Sequence, residues 1–393
     1  MALYSFRFLN MKKTLYILCG FFVLVTNAQT ALYNSGNIQI HDQGQMGFHI
    51  DLINDGSFDE NLGLGGFYGD LPLNISGAFP ATFFDLEIAN PDNVQLATGL
   101  NNSNNTNFIT GNFVTPRAQT DTYLNFLPNA TDNGSGDISK VDGYAAISNQ
   151  QNFTFPVGDA FQLRQLILQS SAENTFAKCA YFFEDPNSPS TFNGFNTNTK
   201  VAGLGSISTT EFWRLEGSVP STIRISWNER SNIATIVDDA SRIGIVGWRK
   251  STNQWVSISG GGAIGDLSQG FVTSASFIPD DYEIITFADN LGEASELITT
   301  DNFLVTPNGD GINDVLEIPE ISLSPSNTIH IFDRYGLKVF EMENYTNTEF
   351  NGTATTNNFV IAKDKGLPSG VYFYIISLHD IDLDFQGFLY LAR

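Results

Sequence analysis

The sequence predicts an all-β protein built of tandem antiparallel β-sandwich domains. Most of its apolar runs are four to eight residues long, alternate with a period of two, and are separated by clusters of Gly, Asn, Asp and Pro. In the segment 221–228, for example, Ile223, Ile225 and Trp227 share one strand face while Arg224 and Ser226 lie on the other. Strand-like runs follow one another at short, regular spacing, which is typical of packed antiparallel sheets.

Composition and charge narrow the class of protein. The chain has 393 residues, is 42% hydrophobic and contains 33 Phe, so it can form well-packed cores. Asp and Glu outnumber Lys and Arg by 42 to 19, which gives a formal net charge of −23. Such a charge repels nucleic acid and anionic membrane surfaces, so neither is an expected partner.

The N-terminal segment 1–28 is predicted to be a secretory signal peptide that starts at Met11. Two lysines follow Met11, the 11-residue apolar segment 15–25 comes next, and small or polar residues lead to a cleavage site between Ala28 and Gln29. The apolar run is shorter than the roughly 18 residues that span a bilayer. We therefore expect a secreted protein.

Composition shifts divide the mature chain. We predict an N-terminal β domain over 29–149, a β-sandwich over 150–289, a linker over 290–300 and a C-terminal domain over 301–393. The linker contains Glu and no aromatic residue. The boundary near residue 150 has the weakest signal, and a single composite domain over 29–289 is the alternative.

No catalytic arrangement stands out in the sequence. The four histidines are scattered, without the spacing of a zinc site, and the sequence contains no G-x-S-x-G motif. Adjacent acidic residues occur beside turns, where neighbouring strand positions face opposite ways. We therefore expect a protein that is not an enzyme.

A structural calcium ion is the one cofactor that the sequence raises, and no other cofactor is expected. Asp55, Ser57 and Asp59 occupy alternate positions, the spacing that lets a loop curl its oxygens around Ca²⁺, and Asn308 and Asp310 do the same further on. The same residues also suit Asx turns, which bond their own backbone. Both interpretations remain open at this stage.

The tryptophans suggest a carbohydrate site as an alternative function. All four of them lie within 43 residues of the second unit, and exposed indole rings can stack on sugar faces. Trp227 and Trp213, however, share their strand faces with apolar residues, which favours core packing. The four are Trp213, Trp227, Trp248 and Trp255.

The C-terminal segment carries the most specific motifs. It reads "VTPNGDGINDVLEI", then "IHIFDRYGLKVFEMENY", then Asn-Gly at 351–352, then "LPSGVYFYIISL" and finally "GFLYLAR". In this order the motifs resemble the gliding-motility-associated C-terminal domain, the type B sorting domain of type IX secretion substrates of Bacteroidetes. Phe350 departs from the Trp that this family often carries before Asn-Gly. The residues that carry the resemblance are Pro307, Asn308, Gly309, Asp310, Gly311, Asn313, Asp314, Arg334, Gly336, Gly352, Gly370, Tyr372, Tyr374 and Gly387.

The resemblance implies a route and a set of partners. The domain would fold in the periplasm as a small immunoglobulin-like β-sandwich, be recognised by the type IX translocon together with an outer-membrane partner protein, and reach the cell surface or the medium. The residues themselves predict that the strand 370–377, apolar or aromatic on both faces, is central and that its tyrosines can also serve as a docking surface. Arg334–Gly336 suits a hairpin turn with Gly336 in a left-handed position, and the terminal strand would leave an open edge for a partner sheet. Residues 29–290 resemble segments of secreted Bacteroidetes proteins to which no activity is attached.

The functional hypothesis is therefore a secreted or cell-surface cargo that serves adhesion, gliding or surface structure. A carbohydrate-binding surface module, which would bind surface glycans through the Trp-rich unit, is the alternative. A hydrolase without a recognisable motif is the third candidate.

Overall fold

The computed structural model describes residues 30–290, 298–299, 302–319, 321, 324–356, 366–379 and 383–393. The predicted signal peptide, with Ala28 and Gln29, lies outside the described residues, as does most of the predicted linker.

Residues 31–158 form a parallel β-solenoid of about six turns. Each turn of the chain contributes one strand to each of two parallel sheets. The first sheet consists of β1 (Ala31–Asn34), β3 (Asp51–Asn54), β5 (Leu73–Ser76), β7 (Val94–Leu96), β9 (Phe113–Val114), β12 (Val141–Asp142) and β14 (Val157–Gly158). The second contains β2 (Gln45–Phe48), β4 (Leu64–Tyr68), β6 (Ala81–Ala89), β8 (Leu100–Thr110), β10 (Leu124–Phe126) and β13 (Tyr144–Phe155), and β11 (Thr131–Asn133) pairs with β8.

The prediction of tandem antiparallel sandwiches is therefore wrong, although the all-β class is confirmed. Side chains alternate across a strand in parallel and antiparallel sheets alike, so a period of two does not reveal which segments pair. The distinguishing signal is a longer period. Phe48, Phe67, Ile88 and Phe108 are directly in register on successive turns, at intervals of 19, 21 and 20 residues.

This register builds the solenoid core as columns of like side chains. The rings of Phe48 and Phe67 stack with centroids 4.8 Å apart, and Phe83 and Phe113 meet Phe67 edge-on. Offset stacking and edge-to-face contacts are the arrangements that aromatic pairs prefer. The core thus depends on contacts between turns, each about 20 residues apart in sequence.

The second sheet of the solenoid continues into an antiparallel region. Its strands are β15 (Leu166–Phe182), β16 (Leu204–Ile207), β17 (Phe212–Gly217), β18 (Ser221–Trp227), β19 (Ile243–Arg249), β20 (Gln254–Ser257), β21 (Ile264–Gly265), β22 (Gly270–Thr273) and β23 (Tyr282–Asn290). Short 3-10 helices cover Glu229–Ser231, Ile233–Thr235, Ala240–Arg242 and Pro279–Asp281. Strand β13 pairs antiparallel with β15, and one apolar core runs from Ile40 to Phe287. Residues 30–290 are called the body below.

The C-terminal unit is a mixed sheet rather than the predicted two-sheet sandwich. Its strands are β24 (Ile298–Thr299), β25 (Phe303–Val305), β26 (Asn327–Asp333), β27 (Lys338–Glu343), β28 (Gly370–Leu378) and β29 (Leu383–Leu391), in the order β24-β29-β28-β26-β27 with β25 also on β29. Loop residues such as Leu316, Tyr345 and Phe350 cover one face. Strand β28 is central as expected, but β29 is paired on both sides and is not an open edge.

Candidate functional site

The loop 306–314, which opens the C-terminal unit, is organised around Asp314. Its two carboxylate oxygens accept hydrogen bonds from the backbone N–H groups of Gly309 and Gly311, each at 2.7 Å, and these bonds lower the pKa of Asp314. Both glycines adopt a positive φ, of 81° and 84°. Ile312 lies at the tip of this loop and is 67% exposed.

The residues proposed as calcium ligands instead form hydrogen bonds with nearby backbone and side-chain groups. Asn308 Oδ1 accepts from the N–H of Asp310, and Asp310 Oδ1 accepts from that of Ile312. These are the Asx turns that the sequence left open. In the solenoid, Asp55 Oδ1 accepts from Ala78 N–H at 2.8 Å.

Ser57 and Asp59 bond to each other, with the hydroxyl donating to Asp59 Oδ1 at 2.5 Å. Across the described ranges, no group of three or more His, Cys, Asp or Glu side chains is arranged to hold a metal ion.

The hairpin turn 333–337 joins β26 to β27 and projects towards the body. Asp333 Oδ1 accepts from the N–H groups of Tyr335 and Leu337, both at 2.9 Å, and Gly336 has a φ of 86°. The predicted left-handed glycine is thus confirmed. Burial outweighs the two hydrogen bonds and raises the pKa of Asp333 to about 6.

Arg224 of the body bridges to this turn. Its guanidinium donates to the carbonyl of Gly336 and to Thr273 Oγ1, the latter at 3.1 Å. It also lies 5.1 Å from the ring centroid of Phe271 and 4.8 Å from that of Phe332, distances typical of cation–π contacts. Desolvation lowers the pKa of Arg224 to about 10.

An apolar cluster surrounds this bridge. Ile264 and Phe271 of the body meet Phe332 and Phe373 of the C-terminal unit, and all four are buried. The ring of Phe271 lies 5.1 Å from that of Phe332 and 5.7 Å from that of Phe373. The face of the C-terminal sheet that its own loops leave uncovered is therefore packed against the body.

Arg334 extends the contact at its rim. Its guanidinium lies 4.0 Å from a carboxylate oxygen of Asp137 in the solenoid and donates to the hydroxyl of Tyr335 at 2.6 Å. A cavity of about 160 Å³ lies at this rim, and both parts of the chain line it, with Arg334 and Tyr335 from the C-terminal unit and Arg164 and Trp227 from the body. Because the ion pair is exposed, it adds little to stability compared with the apolar cluster.

The remaining motif residues shape the C-terminal sheet. Tyr374 lies in its core, and Gly387 on the neighbouring strand is required there because a Cβ would come within 2.6 Å of the Tyr374 ring. Tyr372 is buried as well and donates to the carbonyl of Pro368 at 2.8 Å. Both tyrosines therefore pack inside the sheet rather than forming a docking surface.

Two other motif glycines lie outside the loop 306–314 and the turn 333–337. Gly352 has a φ of 79°, and its carbonyl accepts from the Arg393 guanidinium at 2.9 Å; Gly370 has a φ of 158°, close to extended, with open space around it. Pro307 and Asn313 belong to the loop 306–314 that is organised around Asp314, and Asn313 has a φ of 55°. Thus most of the predicted residues lie in the loop 306–314 or in the turn 333–337, whereas Gly352, Gly370, Tyr372, Tyr374 and Gly387 lie elsewhere in the C-terminal unit.

The body's half of the contact was not predicted from the sequence. Arg224 and Phe271 lie far from the motifs, and nothing in their spacing marks them. A partial signal exists on the other side: in β28, Phe373 and Ile375 alternate with Tyr372 and Tyr374, so both faces of the strand are apolar. A sheet with two apolar faces requires two covers, and the body supplies the second.

The tryptophans are core residues. Their exposed fractions are 0% for Trp213 and Trp255, 1% for Trp227 and 9% for Trp248. This confirms the packing interpretation. It also removes these rings as a surface on which sugars could stack.

Comparison with known proteins identifies one segment of the chain. Residues 298–391 match the family described as the CHU_C type IX secretion signal domain. Neither the curated proteins nor the solved structures contain a match to this chain. No helix among the residues that the structure describes is long and apolar enough to cross a membrane.

Proposed function

Residues 298–391 are a type IX secretion signal domain, so the chain is a cargo of that export system, and we propose that the exported body is a non-enzymatic adhesive or structural module of the cell surface. Gliding is a further role that such a module would support. The proposal places the protein on the outer face of the cell after passage through the periplasm.

The observation that carries the proposal is the regular polar face of the solenoid. On the outer side of the second sheet, Glu87 accepts from the hydroxyl of Tyr68 at 2.8 Å and from the amide of Asn107 at 2.6 Å, across three successive turns. A parallel row links Asn101 to Thr82 at 3.1 Å and to Asn125 at 3.2 Å. Asn125 is buried, and the partly exposed members of these rows form a repetitive surface, which suits lateral binding or assembly.

Export requires that the secretion machinery recognise the signal domain, and the contact with the body limits which surfaces are accessible. The face bearing Phe332 and Phe373 is covered, whereas the loop tip at Ile312 is exposed. We propose that the machinery, with an outer-membrane partner, contacts the exposed loop side of the domain.

Deletion of 301–393 tests the export role. Surface display is measured by protease accessibility on intact cells, with the full chain as control. We expect the truncated protein to stay inside the outer membrane, and undiminished display would refute a sorting role for this segment.

The adhesive role needs a separate measurement. Cells that lack the full chain are compared with complemented cells for attachment and for spreading on agar. Loss of either behaviour, restored by the full chain but not by the truncated one, supports the proposal. Normal attachment and spreading without the protein would refute it.

A further inference from the structure

A groove crosses the solenoid where β5 passes into β6. It has a volume of about 430 Å³, within the range of ligand sites in proteins. Its lining consists of Gly56, Ser57, Phe58, Asp59, Phe79, Pro80, Thr82 and Asn101. The groove is separate from the contact between the body and the signal domain.

Phe79 gives the groove an exposed aromatic wall. Its side chain is 57% exposed, while its backbone is held in place. The Phe79 N–H donates to the carbonyl of Asn54 at 3.1 Å, and the Asn54 side-chain amide donates to the Phe79 carbonyl at 3.0 Å. Asn54 is itself fully buried and accepts from the amide of Asn34 at 2.7 Å. An exposed ring on so rigid a support is preorganised for contact with a ligand.

Polar groups flank this ring. On one wall the exposed Asp59 carboxylate accepts from the Ser57 hydroxyl and retains further acceptor capacity. On the other wall Thr82 and Asn101 begin the polar row that continues to Asn125 on the next turn. Neighbouring turns are about 4.8 Å apart, a spacing close to the length of one sugar unit.

Charge decides which ligands fit. No basic side chain lines the groove. Over residues 30–158 the sequence contains 13 acidic residues against two basic ones, Arg117 and Lys140. An anionic ligand would be repelled. An apolar ligand would desolvate the Asp59 carboxylate and leave it only the Ser57 hydroxyl as a hydrogen-bond partner.

We propose that this groove binds a segment of neutral polysaccharide. One sugar face stacks on the ring of Phe79, hydroxyl groups donate to Asp59, and the chain continues over Thr82 and Asn101 along the solenoid axis. This proposal rests on the adhesive role proposed above and names its ligand class.

Affinity electrophoresis of the full exported chain tests the proposal, with soluble β-glucan, xyloglucan and galactomannan as neutral probes and alginate as the anionic one. We expect retardation by at least one neutral probe and none by alginate. The Phe79→Ala variant should bind about tenfold more weakly, since it loses the stacking platform. Asp59→Asn should weaken binding severalfold.

Phe161→Ala is the matched control, because Phe161 is 75% exposed and lies outside the groove. It should bind like the unmodified chain, and both Phe variants should unfold at the same temperature as the unmodified chain. Absence of binding to every neutral probe, preference for alginate, or full binding by Phe79→Ala would overturn the proposal.

Cell attachment separates this proposal from the wider one. If Phe79→Ala abolishes polysaccharide binding while cells that display this variant still attach, the adhesive role stands and uses another surface. If cells lacking the protein attach normally, the adhesive role itself fails, whatever the electrophoresis shows.

Discussion

Arg224 of the body and Gly336 of the signal domain form the central contact between the two parts of the chain. The guanidinium donates to the Gly336 carbonyl, and the missing side chain of Gly336 leaves room for both Arg224 and Phe271. The glycine of the hairpin turn therefore serves two purposes, since it permits the positive φ and admits the body's side chains. The export signal is thus packed against its own cargo.

Gly336→Ala should destabilise the chain in two ways. A side chain at φ 86° costs about 1–2 kcal/mol in backbone strain, and the new Cβ would lie 2.9 Å from Phe271 Cγ. Denaturant unfolding measures the effect. Gly309→Ala is the control, because Gly309 has a similar φ of 81° but nothing within 4 Å of its Cβ position. Equal losses in the two variants would show that the contact with the body adds no steric constraint.

Asp333 should make stability depend on pH. Its pKa is raised from 3.8 to about 6 in the folded chain, so the folded state holds this proton more tightly than the unfolded state does. Stability should therefore fall as the pH rises from about 4 to about 6 and then stay level with respect to this group. Asp333→Asn, which keeps the acceptor oxygen but does not titrate, should lose this slope.

Asp314 provides the opposite case for comparison. Its pKa is lowered by the amides of Gly309 and Gly311, so its contribution is present above the unfolded pKa of about 4 and is lost as the pH falls further. Unfolding of Asp333→Asn and Asp314→Asn across pH 3–8 (roughly the range of carboxyl titration) should give deviations of opposite sign. Parallel curves for both variants and the unmodified chain would contradict this expectation.

Asn54→Ala should weaken the solenoid locally. It removes the buried acceptor for the Asn34 amide and the part-buried donor to the Phe79 carbonyl. Leaving a buried polar group unpaired costs about 1–3 kcal/mol. Thermal unfolding measures the loss. Asn104→Ala is the control, since its bond to Asp85 is exposed, and it should change stability by much less. A smaller loss of stability for Asn54→Ala than for the control would mean that the hydrogen bonds of Asn54 with Asn34 and Phe79 do not support the fold.

Cys179 should report on unfolding of the body. It is fully buried, and burial raises the pKa of its thiol well above the usual value. Iodoacetamide should therefore label it only when the body opens. The labelling rate should rise with denaturant in step with the unfolding transition followed by tryptophan fluorescence, whose four rings share this body. Rapid labelling of the native chain would contradict the burial of Cys179.

The local sequence determined much of this protein. Alternation over segments such as 221–228 predicted strands, the apolar β28 was correctly placed at the centre of its sheet, and the residues Arg334–Gly336 predicted the hairpin turn. These features depend on interactions between residues only a few positions apart, so the sequence alone is enough to predict them. The family motifs identified the export signal for the same reason, because they are short and ordered.

Pairing between distant segments was decided only by the tertiary structure. Whether Phe48 meets a hairpin neighbour or Phe67 one turn later depends on contacts about 20 residues away, and the in–out alternation is identical in the two arrangements. The contact of Arg224 with Gly336 spans 112 residues. Arg224 fits the local pattern of its strand and Gly336 fits that of its turn. Only the packing of the C-terminal unit against the body makes the two residues neighbours.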